Sequence, residues 1–165
     1  MNMPVLFCPA MLSKLLGAIW RLLPAFVRRN AGTVTQSRFT VTVGAVLFDE
    51  AERILLLDHV FRSRAGWGIP GGFLMKGENP EDALRRELRE EVAIEIANVK
   101  IIFTRTLGQP KQVEIYFRAR VIGDPKPSSF EIKRAQWFAL DQLPPELSND
   151  QRRLIQRAMS LNEKS

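Results

Sequence analysis

Apolar residues alternate with polar ones, or run together, in five short stretches of the chain, and recur every three or four positions in three longer ones. Residues 39–48 alternate and are rich in Val and Thr, and residues 54–60 form a second apolar stretch. Residues 99–107, 113–121 and 136–140 complete a set of five strands. Asp49, Glu50, Ala51 and Glu52 make a polar turn between the first two. Gly108, Gln109 and Pro110 separate the third from the fourth, and a Pro- and Ser-rich loop covers residues 123–129. Helical spacing marks residues 11–27, residues 80–93, and residues 150–161, where Leu154, Ile155, Ala158, Met159 and Leu161 lie on or near one face. Strands interleaved with helices predict an α/β fold with a mixed sheet between helices. No internal repeat is visible.

The helix at 80–93 carries the most chemistry. Asn79 suits the N-cap, Pro80 the first helical position, and Glu81 and Asp82 the positive end of the helix dipole. Leu84, Leu88 and Val92 recur every four residues as the buried stripe, while Glu87, Glu90 and Glu91 share another face. Like charges at that spacing cost roughly 0.2–0.5 kcal/mol per pair. Three glutamates therefore either splay into water as a solvated acidic face or gather round a hard cation, for which an all-oxygen set is suited. The approach to this helix, Trp67-Gly68-Ile69-Pro70-Gly71-Gly72, supplies glycines that let backbone come close to a ligand; by itself the run reads as a turn.

Loop and helix together resemble the Nudix hydrolase signature. Gly72, Glu78, Arg86, Glu87, Leu88, Glu90, Glu91 and Ile94 match it in order over 23 residues, and Ala93 stands where that family has glycine. A glycine there ends the helix in a left-handed turn, so alanine either strains the backbone or lets the helix run on. The resemblance covers about residues 38–160 and implies a Nudix-type α/β/α sandwich. It implies a metal-dependent hydrolase that cleaves the diphosphate linkage of a nucleoside diphosphate joined to another group, with Mg²⁺ or Mn²⁺ as cofactor. By the same resemblance Glu90 and Glu91 are metal ligands, the Gly71 carbonyl completes the shell, Glu87 is a ligand or the general base, and Arg86 orients Glu87 or Glu78. A distant glutamate often adds a further ligand or base, and Glu131 is the candidate, a surface position being the equal alternative. In the family a proline about sixteen residues past the signature goes with ADP-ribose hydrolysis, and Pro110 is sixteen after Ile94. The expected substrate is ADP-ribose or another nucleotide sugar. Nucleoside triphosphates, dinucleoside polyphosphates, capped RNA and a non-hydrolytic nucleotide-binding module are the alternatives. Trp67, Phe73 and Tyr116 are candidates to stack on a base, each being more often core in a strand-rich domain.

Composition narrows the remaining classes. With 165 residues, 45% of them apolar, the chain builds one domain with a sizeable core. The lone Cys8 excludes an internal disulfide, and His59 as the lone histidine excludes a multi-histidine zinc site. A structural or substrate-side role near Phe61 suits His59, since no nucleophile elbow accompanies it. The net charge of +6 is concentrated at one end: no acid precedes Asp49, while Lys14, Arg21, Arg28, Arg29 and Arg38 do. Residues 1–37 therefore read as a basic amphipathic helical extension, kinked near Pro24, ahead of a catalytic domain at residues 38–165. Lys14 and Arg21 interrupt the apolar run too early for a membrane span, and the charge-free start is a poor secretory signal. Packing on the domain or on a second copy in a homodimer is the first reading of this helix; peripheral contact of residues 11–29 with an anionic membrane is the other. The expected location is the cytoplasm, with a peripheral position at the membrane on the second reading. Positive charge alone gives salt-sensitive binding to nucleic acid, and without a recognition motif specific nucleic-acid binding is not expected.

Overall fold

Pro24 interrupts an N-terminal helix in just the manner that its missing N–H demands. In the computed structural model, which describes residues 9–28, 37–61 and 66–160, helix α1 spans Pro9–Leu22 and stops ahead of Pro24. One further helical turn follows at residues 25–28, with the Val27 and Arg28 amides donating to the Pro24 carbonyl. Leu15, Leu16, Ile19, Leu22 and Phe26 are all exposed. No helix among the described residues is long and apolar enough to cross a membrane. The sequence expectations for Cys8, Arg29 and Leu161 lie outside the described residues. The chain divides into two compact units at Arg38 and Phe39.

The second unit is built on seven strands: β1 (Thr40–Phe48), β2 (Ile54–His59), β3 (Trp67–Gly68), β4 (Gly71–Phe73), β5 (Glu95–Leu107), β6 (Gln112–Ile122) and β7 (Ile132–Phe138). Helix α2 (Pro80–Val92) follows β4, and helix α3 (Asn149–Ser160) follows β7 and a short 3₁₀ turn. Strand β1 is central. It runs parallel to β6 from Thr40 to Phe48, pairs antiparallel with β4 over Thr42–Gly44, and meets β2 at Phe48↔Ile54. Strand β6 pairs antiparallel with β5, and β2 with β3 and β7.

Side-chain alternation explains why β1 and β2 read as nearly continuous apolar runs. Val43, Ala45 and Leu47 of β1, with Leu55 and Leu57 of β2, face one core with Ala83, Leu84, Leu88 and Val92 of α2. Their neighbours Val46, Phe48, Ile54 and Leu56 face a second core with Leu154, Ile155 and Ala158 of α3. The sheet is thus covered on both faces, which is the expected α/β/α sandwich. Leu84, Leu88 and Ile155 are fully buried, and each such side chain contributes about 1.5–3 kcal/mol by leaving water.

Several boundaries differ from the sequence expectation. Strand β5 starts at Glu95 rather than at residue 99, because it continues through a bulge where the register shifts between Ala97 and Lys100 and Asn98 takes φ 54°. Strand β7 covers residues 132–138 rather than 136–140. Its first half has only Ile132 buried, against exposed Lys133 and Arg134, and Leu140 passes into the 3₁₀ turn. The short strands β3 and β4 occupy the stretch that looks like a turn. Asn79 does stand at the N-cap of α2, but its side chain makes no capping bond; its Nδ2 donates to Asp82 instead.

At the other end of α2 the cap question has a definite answer. Ala93 is left-handed, φ 55°, ψ 40°, with its N–H donating to the Arg89 carbonyl and the Ile94 N–H to the Leu88 carbonyl. Ile94 is buried behind this turn, so the helix cannot simply run on. A side chain in that region costs about 1–2 kcal/mol relative to glycine. Ala93→Gly is expected to stabilise the domain by about 1 kcal/mol, raising Tm by roughly 3 °C in a thermal melt. A lowered Tm would show that the alanine methyl makes compensating contacts.

Candidate active site

Arg86 holds together nearly everything that the sequence singled out. It lies in the second turn of α2, and its guanidinium donates from Nε to Glu78 Oε1 at 2.9 Å and from Nη2 to Glu78 Oε2 at 3.1 Å. Nη2 also reaches the Phe73 carbonyl at 3.0 Å, which ties the end of β4 and the loop after it to the helix. Nη1 donates to Glu87 Oε1 at 2.9 Å and, more weakly, to Glu90 Oε2 at 3.4 Å. Glu78 is set by its own tight turn: its N–H donates to the Met75 carbonyl, and the Met75 N–H to Glu78 Oε2. The Arg86 guanidinium and the Met75 amide hold the Glu78 carboxyl below the usual range, and Glu78 in turn raises the pKa of Arg86.

The glycines explain how this helix approaches the sheet. A Cβ on Gly72 would sit inside the Glu87 carboxylate, far closer than van der Waals contact. A Cβ on Gly71 would collide with the Val43 carbonyl and Gly44 of β1. Register adds a second point. The Leu74 N–H donates to the Val41 carbonyl and the Ala45 N–H to the Pro70 carbonyl, so pairs 41–74, 43–72 and 45–70 are the hydrogen-bonded ones. Gly71, opposite Gly44, falls in a non-hydrogen-bonded pair, and its carbonyl projects away from β1. Strand β4 pairs with β1 alone, so that carbonyl lies on an open strand edge.

The four glutamates differ in setting. Glu78 and Glu87 are each 17% exposed, Glu90 is 58% exposed, and Glu91 is buried. Serine and lysine amides cap the helix carbonyls beside them: the Ser128 N–H donates to the Glu91 carbonyl, Ser128 Oγ to the Glu90 carbonyl, and the Lys126 N–H to the Val92 carbonyl. Among the described residues no group of three or more His, Cys, Asp or Glu side chains forms a metal cage. The Arg86 guanidinium instead bonds Glu78, Glu87 and Glu90. The donor set still fits a hard divalent cation. It is all oxygen, and the weak 3.4 Å bond is the one that joins the exposed Glu90 to Arg86, which Glu78 and Phe73 hold from the other side. Glu131 lies apart from this network, exposed in the turn before β7, where its N–H donates to Ser129 Oγ and its carbonyl accepts from Val60. His59 ends β2, with its amide donating to the Gly66 carbonyl.

On the other face of β4 a cleft of about 230 Å³ opens over Gly44, Gly71 and Gly72. Gln112, Glu114 and Tyr116 of β6, Thr42 of β1 and Gln151 of α3 line it. Gln112 Nε2 donates to Thr42 Oγ1 and to Glu114 Oε1. The Tyr116 ring lies where a Cβ on Gly44 would press on it, and burial, then the Glu114 charge, pushes its phenol up to about 12. It is therefore a neutral hydroxyl at physiological pH. Of the three aromatic candidates, Tyr116 and the exposed Phe73 line the cleft, whereas Trp67 packs edge-on against Phe138 in the α3 core. Sequence reasoning passed over Gln112, Glu114 and Gln151. The signal for the first two was present: polar residues at every second position of β6, facing away from Val113, Ile115 and Phe117.

Comparison with known proteins agrees with this geometry. The NUDIX domain model matches residues 38–158. A NAD-capped RNA hydrolase NudC of Pseudomonas aeruginosa is 38% identical over 95 residues, 53% of this chain. The match spans only 34% of that relative's length, so this chain accounts for about a third of it. The crystal structure of a MutT NUDIX hydrolase from Burkholderia pseudomallei superposes with a TM-score of 0.64 at 27% identity, covering 73% of this chain and 98% of that one. The NUDIX domain of Shewanella oneidensis NrtR, solved with ADP ribose, has the same fold at 22% identity, with a TM-score of 0.70 over 86% of this chain and 99% of that one.

Proposed function

This chain belongs to the NUDIX domain family, and we propose that it is a hydrolase of the diphosphate linkage in a nucleoside diphosphate joined to another group, dependent on Mg²⁺ or Mn²⁺. The observation that carries this reading is the position of β4: the Glu87 carboxylate of α2 lies under Gly72 on one face, the polar cleft opens on the other, and no side chain at residue 71 or 72 separates them. A nucleoside seated in the cleft directs its diphosphate across the glycines toward Glu87 and Glu90. Glu87, Glu90, Glu91 and the Gly71 carbonyl would hold the metal, which when bound neutralises diphosphate charge and acidifies an attacking water. Hydrolysis makes one P–O bond from water and breaks the bridging P–O bond. Glu87 would serve either as a ligand or as the base that accepts the water proton, in each case through Oε2, since its Oε1 already accepts from Arg86. Arg86 and Glu78 position Glu87, and Glu131 is the candidate for a further base or ligand.

ADP-ribose or another nucleotide sugar is the first substrate reading, supported by Pro110 in the turn that leads into Gln112 at the cleft. A capped RNA is the second, supported by the relatives named as NAD-capped RNA hydrolases. The test is a panel of ADP-ribose, other nucleotide sugars, NAD, NAD-capped oligoribonucleotide and nucleoside triphosphates, each with Mg²⁺, Mn²⁺ or EDTA, the products being separated by chromatography. Metal-dependent cleavage that splits the anhydride supports the hydrolase. Ligand binding without turnover across the panel would replace it with a nucleotide-binding module.

For the N-terminal unit, we propose cytoplasmic residence, with packing of the helix on the domain or on a second copy in a homodimer as the first reading and peripheral contact of residues 11–29 with an anionic membrane as the second. Leu16 and Ile19 are about half exposed on a helix that also carries Lys14 and Arg21. On the second reading Leu16→Asp/Ile19→Asp is expected to abolish co-sedimentation with phosphatidylserine vesicles. Equal sedimentation of variant and parent, or none by the parent, would remove the membrane from the account.

A further inference from the structure

A second, larger cleft of about 550 Å³ lies between β5 and α3, lined by Phe103, Arg153, Gln156, Arg157 and Ser160 among others. An ion-paired group joins its lining to that of the cleft over Gly44. Arg105 donates through Nη1 and Nη2 to Asp150 at 2.7 and 2.6 Å, and through Nε to Glu114. Glu114 lines the first cleft, while Arg105 and Asp150 line the second. These three side chains, one cation between two carboxylates, form the wall. Beyond it stand two further cations, Arg153 and Arg157. Arg157 donates only its Nε, to the Ile102 carbonyl, and lies 4.7 Å over the Phe103 ring, so its two terminal nitrogens make no hydrogen bond among the described residues. The exposed Arg153 makes no side-chain hydrogen bond among the described residues, and its charge, after that of Arg105, helps hold the Asp150 carboxyl below its usual range. Arg105, Arg153 and Arg157 stand against Asp150 in the lining, so the lining of this cleft is net positive.

Order along the surface is the informative property. First come the carboxylates and glycines at which a divalent cation would hold a diphosphate, then a cleft whose Glu114 repels phosphate but whose Gln112, Thr42 and Tyr116 suit a neutral nucleoside, then a cationic cleft. A ligand that reads diphosphate, nucleoside, phosphodiester in the same order is the first nucleotide of an RNA joined through a 5′ diphosphate to a cap. We propose that the β5–α3 cleft binds the phosphodiester chain on the 3′ side of that nucleoside, through Arg153 and Arg157, and so favours capped RNA over the free cap. The proposal rests on the second substrate reading above. Neutralised phosphates release counterions, so the contribution of Arg153 falls with salt.

The test measures competition by NAD and by NAD bearing a short 3′ oligoribonucleotide tail, with Ca²⁺ in place of Mg²⁺, on the full chain with a fluorescent nucleotide probe. The tailed ligand is expected to bind about tenfold tighter or better. Arg153→Glu is expected to remove that advantage and to lower the slope of log affinity against log salt by about 0.7–1. Arg157→Lys, which keeps the charge over Phe103, reads the same advantage in a variant less disturbed in packing, and should lower it by a smaller factor. Equal affinity of the two ligands for the parent, or an advantage that survives Arg153→Glu, overturns the proposal. Because binding is read without turnover, a chain that cleaves nothing in the panel still gives an answer here. One that cleaves NAD but ignores the tail leaves the hydrolase standing and this proposal fallen.

Discussion

Glu90→Gln is expected to lower metal-dependent turnover of the preferred diphosphate at least about 100-fold, about 2.7 kcal/mol in barrier height, with the thermal melt unchanged. Both halves follow from the same geometry. The Glu90 side chain is 58% exposed and, among the described residues, its one hydrogen bond is the 3.4 Å bond from Arg86, so loss of its charge costs the fold almost nothing. Of the helix glutamates it gives the cleanest separation of chemistry from stability. Glu91 is buried and Glu87 is bonded to Arg86 against Gly72, and replacing either mixes the two effects. The check is steady-state kinetics over a range of Mg²⁺ concentrations. A rise in the Mg²⁺ requirement with recovery at high metal points to a ligand that weakens binding. Turnover equal to the parent at all metal concentrations would take Glu90 out of the mechanism.

Gly72→Ala is expected to be about as damaging to turnover while also costing stability. The new methyl would occupy the space of the Glu87 carboxylate, and β4 cannot retreat, since Gly72 is in a hydrogen-bonded pair with Val43 of β1. Glu87 must therefore turn away and leave Arg86 Nη1. A displacement of about 1 Å in a reacting group costs on the order of 100-fold in rate, and loss of the Arg86–Glu87 ion pair up to about 1 kcal/mol in stability. A double-mutant cycle checks the cause: in a Glu87→Ala background the stability cost of Gly72→Ala should largely vanish, because the collision partner is gone. A cost that persists in full would place the strain in the backbone of β4 rather than at Glu87.

Particular residues show how far the sequence reached. The buried stripe of α2, Leu84, Leu88 and Val92, was legible because helical period and burial coincide there. The same holds for α3 through Leu154, Ile155 and Ala158. Strand β7 was read late because only one of its first four residues is buried, and strands β3 and β4 were unreadable because two or three residues carry no period. The carboxylate and arginine set on α2 was recognisable from spacing. Its arrangement was not, because the sequence treats Glu87, Glu90 and Glu91 as equivalent members of one face, whereas packing buries Glu91, leaves Glu90 in solvent and sets Arg86 among the others.

Local periodicity and covalent spacing determined by themselves the helices, the long strands, the family signature and the donor chemistry of α2, since each depends on residues within a few turns of one another. Only the tertiary structure decided what faces β4. Gly44, Gly71, Gln112, Glu114 and Gln151 come from β1, β4, β6 and α3, and they meet because the parallel β1–β6 pairing and the packing of α3 bring them to one cleft. The wall made by Arg105, Glu114 and Asp150, with 45 positions between Arg105 and Asp150, belongs to the same class: long-range contact, set by the sheet's order rather than by any local pattern.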